Sequence, residues 1–314
     1  MNRRNKTFQM EFILIGFSNM PNAELLLFPL VLVMYIVTVS GNILIIVIVT
    51  IDSALQSSMY FFLRNLSFIE ICFTLDTVPK MLISLLQKDK SISFLGCAIQ
   101  MFGFFYFGCI ECFLLAAMSY DRYVAICKPL HYRTIMNRGF CQKLVGGTWV
   151  IGIPASLLQA AWIFSFPFCG LKEVNHFFCD VPPVLKLVCA DTYLFEIQST
   201  TSTFLFIIFP FVLILISYIR IIITILSMSS AQGQQKAFST CSAHLIVVTL
   251  FYGSGSIVYL KPKSSYSPEV KKMLSLFYTV LIPMLNPIVY TLRNSEVKEA
   301  LRRILGWKMF SQAT

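Results

Sequence analysis

Residues 25–51 read LLLFPLVLVMYIVTVSGNILIIVIVTI and contain no Lys, Arg, Asp or Glu. A helix that crosses a bilayer needs about 20 mainly apolar residues, because lipid offers the backbone no hydrogen-bond partner. This run is long enough and therefore predicts a membrane-spanning helix. Four further stretches without a charged residue meet the same requirement: Leu144–Leu171, Ile197–Ile219, Ala237–Leu260 and Met273–Leu292.

Two more stretches, Met59–Leu86 and Ser91–Cys127, are also long and mainly apolar but carry ionisable side chains. These are Arg64, Glu70, Asp76 and Lys80 in the first stretch and Glu111, Asp121 and Arg122 in the second. The strands of a membrane β-barrel would instead be about ten residues long with alternating polarity. The sequence thus predicts an all-α membrane protein, a seven-transmembrane helix bundle over residues 25–292.

The composition excludes several other classes of protein. Only 13% of the residues are charged, against about 25% in a typical soluble protein. Apolar residues make up 57% of the chain, and the mean hydropathy is +0.74. A soluble enzyme, a disordered chain and a collagen-like fibre are therefore ruled out. The net charge of +10 lies in short connectors, where it suits anionic membrane lipid better than nucleic acid.

The two termini are expected on opposite sides of the membrane, because the number of spans is odd. The distribution of Lys and Arg barely separates the two orientations, but other features favour an extracellular N-terminal tail over residues 1–24. Asn5-Lys6-Thr7 is a glycosylation sequon, which is used at Asn5 only if the tail is lumenal. Four cysteines lie on that same side, which suits disulfides in an oxidising compartment. They are Cys97, Cys169, Cys179 and Cys189, and their spacing alone permits three connectivities.

Four polar side chains lie in the middle of four predicted spans: Asn42, Glu70, Glu111 and Asn286. A carboxylate in the hydrocarbon zone is costly unless it is paired or hydrated. Two interpretations remain open. The four groups converge on a hydrated interior site that holds a cation or a shared proton, or they bond to one another as contacts between helices. Asp76 and Lys80, four residues apart on one helix face, are expected to form a local ion pair.

Asp121-Arg122-Tyr123 lies at the inner end of the third predicted span. An Arg beside an Asp at a helix end can serve as an interfacial anchor. It can also act as a switch, in which Asp121 holds Arg122 in one state and releases it to a cytoplasmic partner in another. Glu111 lies about three helical turns away on nearly the same face of the helix.

Eight blocks of sequence resemble the olfactory receptors, tetrapod-type class, within the rhodopsin-like (class A) G-protein-coupled receptors. The blocks follow the family's order along the chain, and the series is far more specific than any one block. They are Gly41-Asn42, Met59–Leu63, Leu66–Glu70, Val78–Leu82, Met118–Cys127, Ser217-Tyr218, Lys236–Cys241 with His244, and Pro283–Tyr290. Ser58 departs from the family, which usually has proline before Met-Tyr, and this change is expected to loosen the start of the second span.

The resemblance implies a switch at the inner end of the bundle. Asp121, Arg122 and Tyr123 would form the ionic lock whose arginine engages the G protein. Tyr218 and Tyr290 would move inward on activation to support Arg122. The partner would be a stimulatory, olfactory-type heterotrimeric G protein that raises cyclic AMP.

The resemblance also implies an interior cation site and a disulfide pattern. Relatives bind sodium where Asn42, Glu70, Glu111 and Asn286 stand, so a sodium ion or a proton at Glu70 and Glu111 is the one expected occupant, with no other cofactor. Cys97 would pair with Cys179, and Cys169 with Cys189.

The family's ligand pocket lies between the third, fifth and sixth spans and the long loop Phe166–Asp191. The resemblance places ten residues in its lining: Phe104, Phe105, Gly108, Cys109, Ser202, Thr203, Phe206, Tyr252, Gly255 and Tyr259. This set is aromatic and aliphatic with a few hydroxyl groups. It suits a small, neutral, mostly apolar odorant.

Residues 293–314 are expected to form a cytoplasmic amphipathic eighth helix and tail of this plasma-membrane protein. Its apolar face would contain Val297, Leu301, Ile304 and Leu305. Arg302 and Arg303 would rest on anionic lipid.

Other functions fit the sequence less well. A transporter or channel would explain Glu70, Asp76 and Glu111, but the chain lacks the paired repeats and paired broken helices of transporters. An enzyme would need a nucleophile–base pair or a metal triad, and neither is found. No metal site is expected at His176 and Cys179, because a disulfide removes the thiolate. A chemosensory role outside the nose fits the same residues as olfaction.

Overall fold

The computed structural model describes residues 11–18, 21–259, 267–293 and 296–303. Asn5, Ile304 and Leu305 lie outside these ranges, and the side chain of Tyr259 is not described either.

Seven long helices run through the described residues, and each overlaps one predicted span. They are α1 (Pro21–Ile51), α2 (Ser58–Leu86), α3 (Phe94–Cys127), α4 (Arg138–Ser165), α5 (Tyr193–Leu226), α6 (Ala231–Tyr259) and α7, which is built from Pro268–Leu276, Phe277–Leu281 and Ile282–Arg293. Helices α5 and α7 each contain one π-helical turn, at Phe204–Ile208 and Phe277–Leu281. Short helices occupy Ser53–Leu55, Pro129–His131, Tyr132–Ile135 and Val181–Leu185.

Most of these helices have the length and composition of membrane spans. Helices α1, α3, α4, α5 and α7 each meet the requirement alone among the described residues. Helix α6 meets it when its two parts, Ala231–Ser239 and Cys241–Gly255, which are inclined by 42°, are taken together. Helix α2 carries four ionisable residues and packs between α1 and α3. Helix α3 is central, since it also packs against α4 and α5.

The bounds of α4 differ from the predicted span Leu144–Leu171. The helix begins earlier because the Asn137 side chain caps it, accepting a hydrogen bond of 3.0 Å from Phe140 N. It ends at Ser165 because Pro167 disfavours helical backbone at Phe166, which is extended. The predicted span continued to Leu171 because the first residues of the following loop are also free of charge.

A three-stranded sheet covers one end of the bundle, which we call the sheet end. Strand β1 (Glu11–Leu14) pairs antiparallel with β2 (Ser91–Ser93) and parallel with β3 (Glu173–Val174). The predicted N-terminal tail is thus folded over residues 11–18, where Phe12, Leu14 and Phe17 are buried. The sequence predicted an all-α fold, and among the described residues these three strands depart from it.

Both expected disulfides are present at the sheet end. Cys97 is joined to Cys179 with a Cα–Cα distance of 5.5 Å, which ties α3 to the long loop. Cys169 is joined to Cys189 within the loop, with a Cα–Cα distance of 5.9 Å.

At the opposite end, residues 296–303 form a helix, α8. Val297 and Ala300 are buried against the bundle. Arg303 was expected on lipid, but its guanidinium donates to Asp52 Oδ2 at 2.8 Å and lowers the pKa of that carboxyl. Tyr60 Oη donates to Glu296 Oε2 at 2.6 Å. The helix is therefore held by polar contacts to α2 and to the short connector after α1, as well as by its apolar face.

Candidate functional site

A cavity of about 170 Å³ lies toward the sheet end, bordered by α3, α4, α5, α6 and the long loop. Its lining contains every predicted pocket residue whose side chain the structure describes: Phe104, Phe105, Gly108, Cys109, Ser202, Thr203, Phe206, Tyr252 and Gly255. No Lys, Arg, Asp or Glu occurs among the described lining residues. The cavity is therefore suited to a neutral ligand.

The sequence did not identify the contribution of α4 to this cavity. Ser156 and Gln159 of α4 and Ser199 of α5 line it, together with Phe251 and Tyr278. Gln159 is a polar residue inside a charge-free run, and its polarity was the one feature of the sequence that could have indicated a role in the cavity. The run alone did not indicate whether its side chain faces the interior or a neighbouring helix.

The long loop forms the roof above the cavity. Gln100 Oε1 on α3 accepts a hydrogen bond of 2.9 Å from Cys179 N, beside the disulfide. His176 stacks on Phe177 at 4.6 Å, and its Nε2 lies 3.1 Å from Ser275 Oγ on α7. Burial lowers the pKa of His176 to about 3, so the ring is neutral at physiological pH. His176 is thus a buried residue that packs in the roof. Cys179, three residues further on, is in a disulfide and has no thiolate that could bind a metal ion.

Three of the four predicted interior polar residues meet between α2, α3 and α7. Asn286 Nδ2 donates to Glu70 Oε1, and Glu111 of α3 is close enough to Glu70 to interact with it electrostatically. Glu70 Oε2, Glu111 Oε1 and Asn286 Oδ1 are buried without a hydrogen-bond partner among the described residues. Asn42 differs, because its Nδ2 donates to Thr38 O of its own helix at 3.0 Å.

The expected ion pair between Asp76 and Lys80 is absent. Lys80 Nζ donates instead to Ser91 O at 2.5 Å. Asp76 packs against Gly103 of α3, and its Oδ2 is buried without a hydrogen-bond partner among the described residues. The i, i+4 spacing did not decide the pairing, because Lys80 reaches the strand that precedes α3.

The Asp-Arg-Tyr motif lies at the inner end of α3 in a closed arrangement. Arg122 Nη2 donates to Asp121 Oδ2 at 2.8 Å, and both side chains are buried. Asp121 Oδ1 accepts from Ser58 Oγ at 2.6 Å and from Tyr132 Oη at 2.9 Å. Tyr123 lies beside Lys128, whose Nζ is 5.9 Å from the ring centre. Ser58, the first residue of α2, therefore adds a hydroxyl donor to this group.

The two tyrosines predicted to support Arg122 are both buried nearby. Tyr218 Oη lies 2.7 Å from His244 Nδ1, and His244 Nε2 lies 3.1 Å from Leu115 O. Because a carbonyl oxygen only accepts, His244 carries its proton on Nε2 and accepts from Tyr218. Tyr290 Oη is buried without a hydrogen-bond partner among the described residues.

The fold is that of a rhodopsin-like seven-helix receptor. Squid rhodopsin has a TM-score of 0.73 with this structure, at 19% sequence identity, and the match covers 92% of this chain and 82% of that chain. The similarity confirms the predicted seven-helix bundle.

The sequence comparisons define the family more narrowly. The family model described as olfactory receptor matches residues 31–308. Olfactory receptor 10A7 of Homo sapiens is 59% identical over 308 residues, which is 98% of each chain. Olfactory receptor 10A5 of Homo sapiens is 60% identical over 294 residues, which is 93% of each chain. The chain belongs to the olfactory receptor family. It is a multi-pass membrane receptor, not an enzyme, and its partners are a small-molecule ligand and a G protein.

Proposed function

We propose that this receptor binds small, neutral, mostly apolar volatiles in the cavity and activates a stimulatory, olfactory-type heterotrimeric G protein that raises cyclic AMP. Two features carry the proposal: the cavity is uncharged and mainly apolar, and helix α3, which lines it, bears the closed Asp121–Arg122 lock at its inner end. The receptor lies in the plasma membrane with its N-terminus and sheet end extracellular, and Asn5 is the glycosylated residue.

Two hydrogen bonds from α6 to α3 provide the route between the cavity and the lock. Tyr252 lines the cavity, and its Oη donates to Cys112 O at 3.2 Å. About two helical turns further along α6, His244 donates to Leu115 O. A ligand that displaces Tyr252 frees α6 from α3 at the first bond and strains the second. Tyr218, released from His244, then becomes available to Arg122.

The interior polar cluster has the chemistry of a site for a hard cation. Three orphaned oxygen atoms, from Glu70, Glu111 and Asn286, are the ligand type that such cations prefer. A sodium ion there would offset one of the two negative charges of the adjacent carboxylates, and a shared proton would offset the same charge. Either occupant holds α2, α3 and α7 together in the closed state.

A cyclic-AMP reporter assay with a screen of diverse volatiles tests the proposal. Arg122→Ala is expected to reach the cell surface and to bind odorant, but to lose the cyclic-AMP rise. Lys186→Ala, which removes an exposed cation on the long loop, is the matched control and keeps the wild-type response. A full cyclic-AMP rise in Arg122→Ala would contradict the proposal.

A further inference from the structure

One corner of the cavity, where α4 faces α5, carries a hydrogen-bonded pair of polar side chains. Gln159 of α4 and Ser199 of α5 meet there, while the facing walls carry aromatic side chains such as Phe104, Tyr252 and Tyr278. The Tyr252 hydroxyl proton is already used, since it donates to Cys112 O. The corner therefore offers hydrogen-bond partners to a polar group of a ligand.

The corner offers hydrogen-bonding capacity that the protein itself leaves unused. Gln159 is 4% exposed, and its Nε2 donates to Ser199 Oγ at 3.0 Å. Its Oε1 is buried without a hydrogen-bond partner among the described residues. Ser199 accepts this bond and keeps its own proton for a further one. A buried amide oxygen without a partner is destabilising, so a ligand that donates to it gains affinity.

The hydroxyl groups nearby do not supply this partner. Thr203 Oγ1 donates to Ser199 O of its own helix at 3.0 Å. Ser202 Oγ accepts from Gln198 Nε2 at 2.8 Å, on the same helix. The pair of Gln159 and Ser199 thus keeps a free acceptor, Gln159 Oε1, beside at least one free donor, the Ser199 hydroxyl.

The assignment holds for either orientation of the Gln159 amide. If the amide is rotated by 180°, Ser199 donates to Oε1, and the pair is left with a free N–H donor and a free hydroxyl lone pair. In both cases the missing partner must donate and accept at one place. A hydroxyl group does both, whereas an ether, an aldehyde or a ketone only accepts. Ammonium and carboxylate ligands lack a counter-charge among the described lining residues.

We propose that the cavity selects neutral alcohols, with the hydroxyl group between Gln159 and Ser199 and the apolar remainder against Phe104 and Tyr252. The inference rests on the proposed function, because it takes the cavity to be the odorant site. It adds the chemical class of the odorant and two residues that recognise it.

Matched odorants in the cyclic-AMP assay test this inference. Each set contains an alcohol and its aldehyde, methyl ether and alkane on one carbon skeleton, and the skeletons are linear, branched and cyclic. Alcohols are expected to activate at concentrations about tenfold lower than their methyl ethers, since one more buried polar pair is satisfied. Equal potency of alcohols and ethers, or activation by acceptor-only compounds alone, would overturn the inference.

Variants of the corner separate recognition from a general loss of function. Gln159→Leu and Ser199→Ala are expected to bring the ratio of alcohol to ether potency close to one. Thr200→Ala, which removes an exposed hydroxyl on the adjacent position of α5, is the matched control and keeps the ratio. A ratio unchanged in Ser199→Ala, the smaller alteration, overturns the inference even if Gln159→Leu does not reach the surface. A receptor at the surface that answers no volatile contradicts the proposed function itself.

Discussion

Replacing Ser58 should raise the activity of the receptor in the absence of odorant. The Ser58 hydroxyl lies 2.6 Å from Asp121 Oδ1 and 2.6 Å from Tyr132 Oη, so the three groups form a closed triangle around the lock. This donor stabilises the carboxylate that holds Arg122. Its removal weakens the closed state without touching Arg122 or the cavity.

The size of the effect follows from the bond that is lost. A hydrogen bond to a charged group contributes about 1.5–3 kcal/mol, and the lower end applies here because Tyr132 still donates to the same oxygen. A loss of about 1.4 kcal/mol shifts an equilibrium tenfold. Ser58→Ala is thus expected to raise basal cyclic AMP, normalised to surface receptor, by up to about tenfold.

A second substitution separates the hydroxyl from the backbone. Ser58 is the first residue of α2, and Ser57 before it is extended, so proline fits at position 58 without loss of a helical hydrogen bond. Ser58→Pro should therefore raise basal activity as much as Ser58→Ala. Ser57→Ala is the matched control, because the Ser57 side chain makes no capping bond. Wild-type basal cyclic AMP in both Ser58 variants would refute the reasoning.

Three further predictions concern the roof, the cation site and the contact of α2 with α3. Burial in the folded receptor lowers the pKa of His176 from 6.5 to about 3, so the unfolded chain takes up a proton at this residue before the folded one does. The melting temperature of the purified receptor should therefore drop as the pH falls from 6.5 toward 3. His176→Gln should show a smaller drop, and an equal one would contradict this. Glu111→Gln should remove the effect of sodium on odorant potency, measured against choline, and a persisting effect would place sodium elsewhere. Gly103→Ala should lower surface expression, because a Cβ would lie 2.5 Å from Asp76 Oδ1, and Asp76→Ala should restore it.

The spans could be predicted because lipid imposes one simple requirement on sequence. The charge-free run ends at Ile51, because the next residue is Asp52, and helix α1 ends at the same residue. The strand Glu11–Leu14 could not be predicted in this way. Its partners are β2 and β3, which lie far along the chain, and four residues carry too little pattern to indicate a strand.

Some residues of the candidate site could also be predicted from the sequence, and others could not. Phe104 and Tyr252 could be placed in the cavity because the family resemblance carries over to their positions. Gln159 was missed because its role depends on the rotation of α4 relative to α5, which the run of apolar residues does not encode. The partner of Ser58 was missed because Asp121 lies on another helix.

The strength of the contacts between α6 and α3 fits an activating ligand that is small. Tyr252 and His244 each hold α6 to a backbone carbonyl of α3 by a bond between neutral groups. Such bonds contribute about 1 kcal/mol each, so together they stabilise the closed state over the open state by only a small free energy. A few buried methylene groups of a ligand can offset that difference, at about 0.8 kcal/mol apiece. A ligand shifts this equilibrium only by its difference in affinity for the two states. A volatile alcohol therefore activates if it packs better against a displaced Tyr252 than against the Tyr252 that is bonded to Cys112 O.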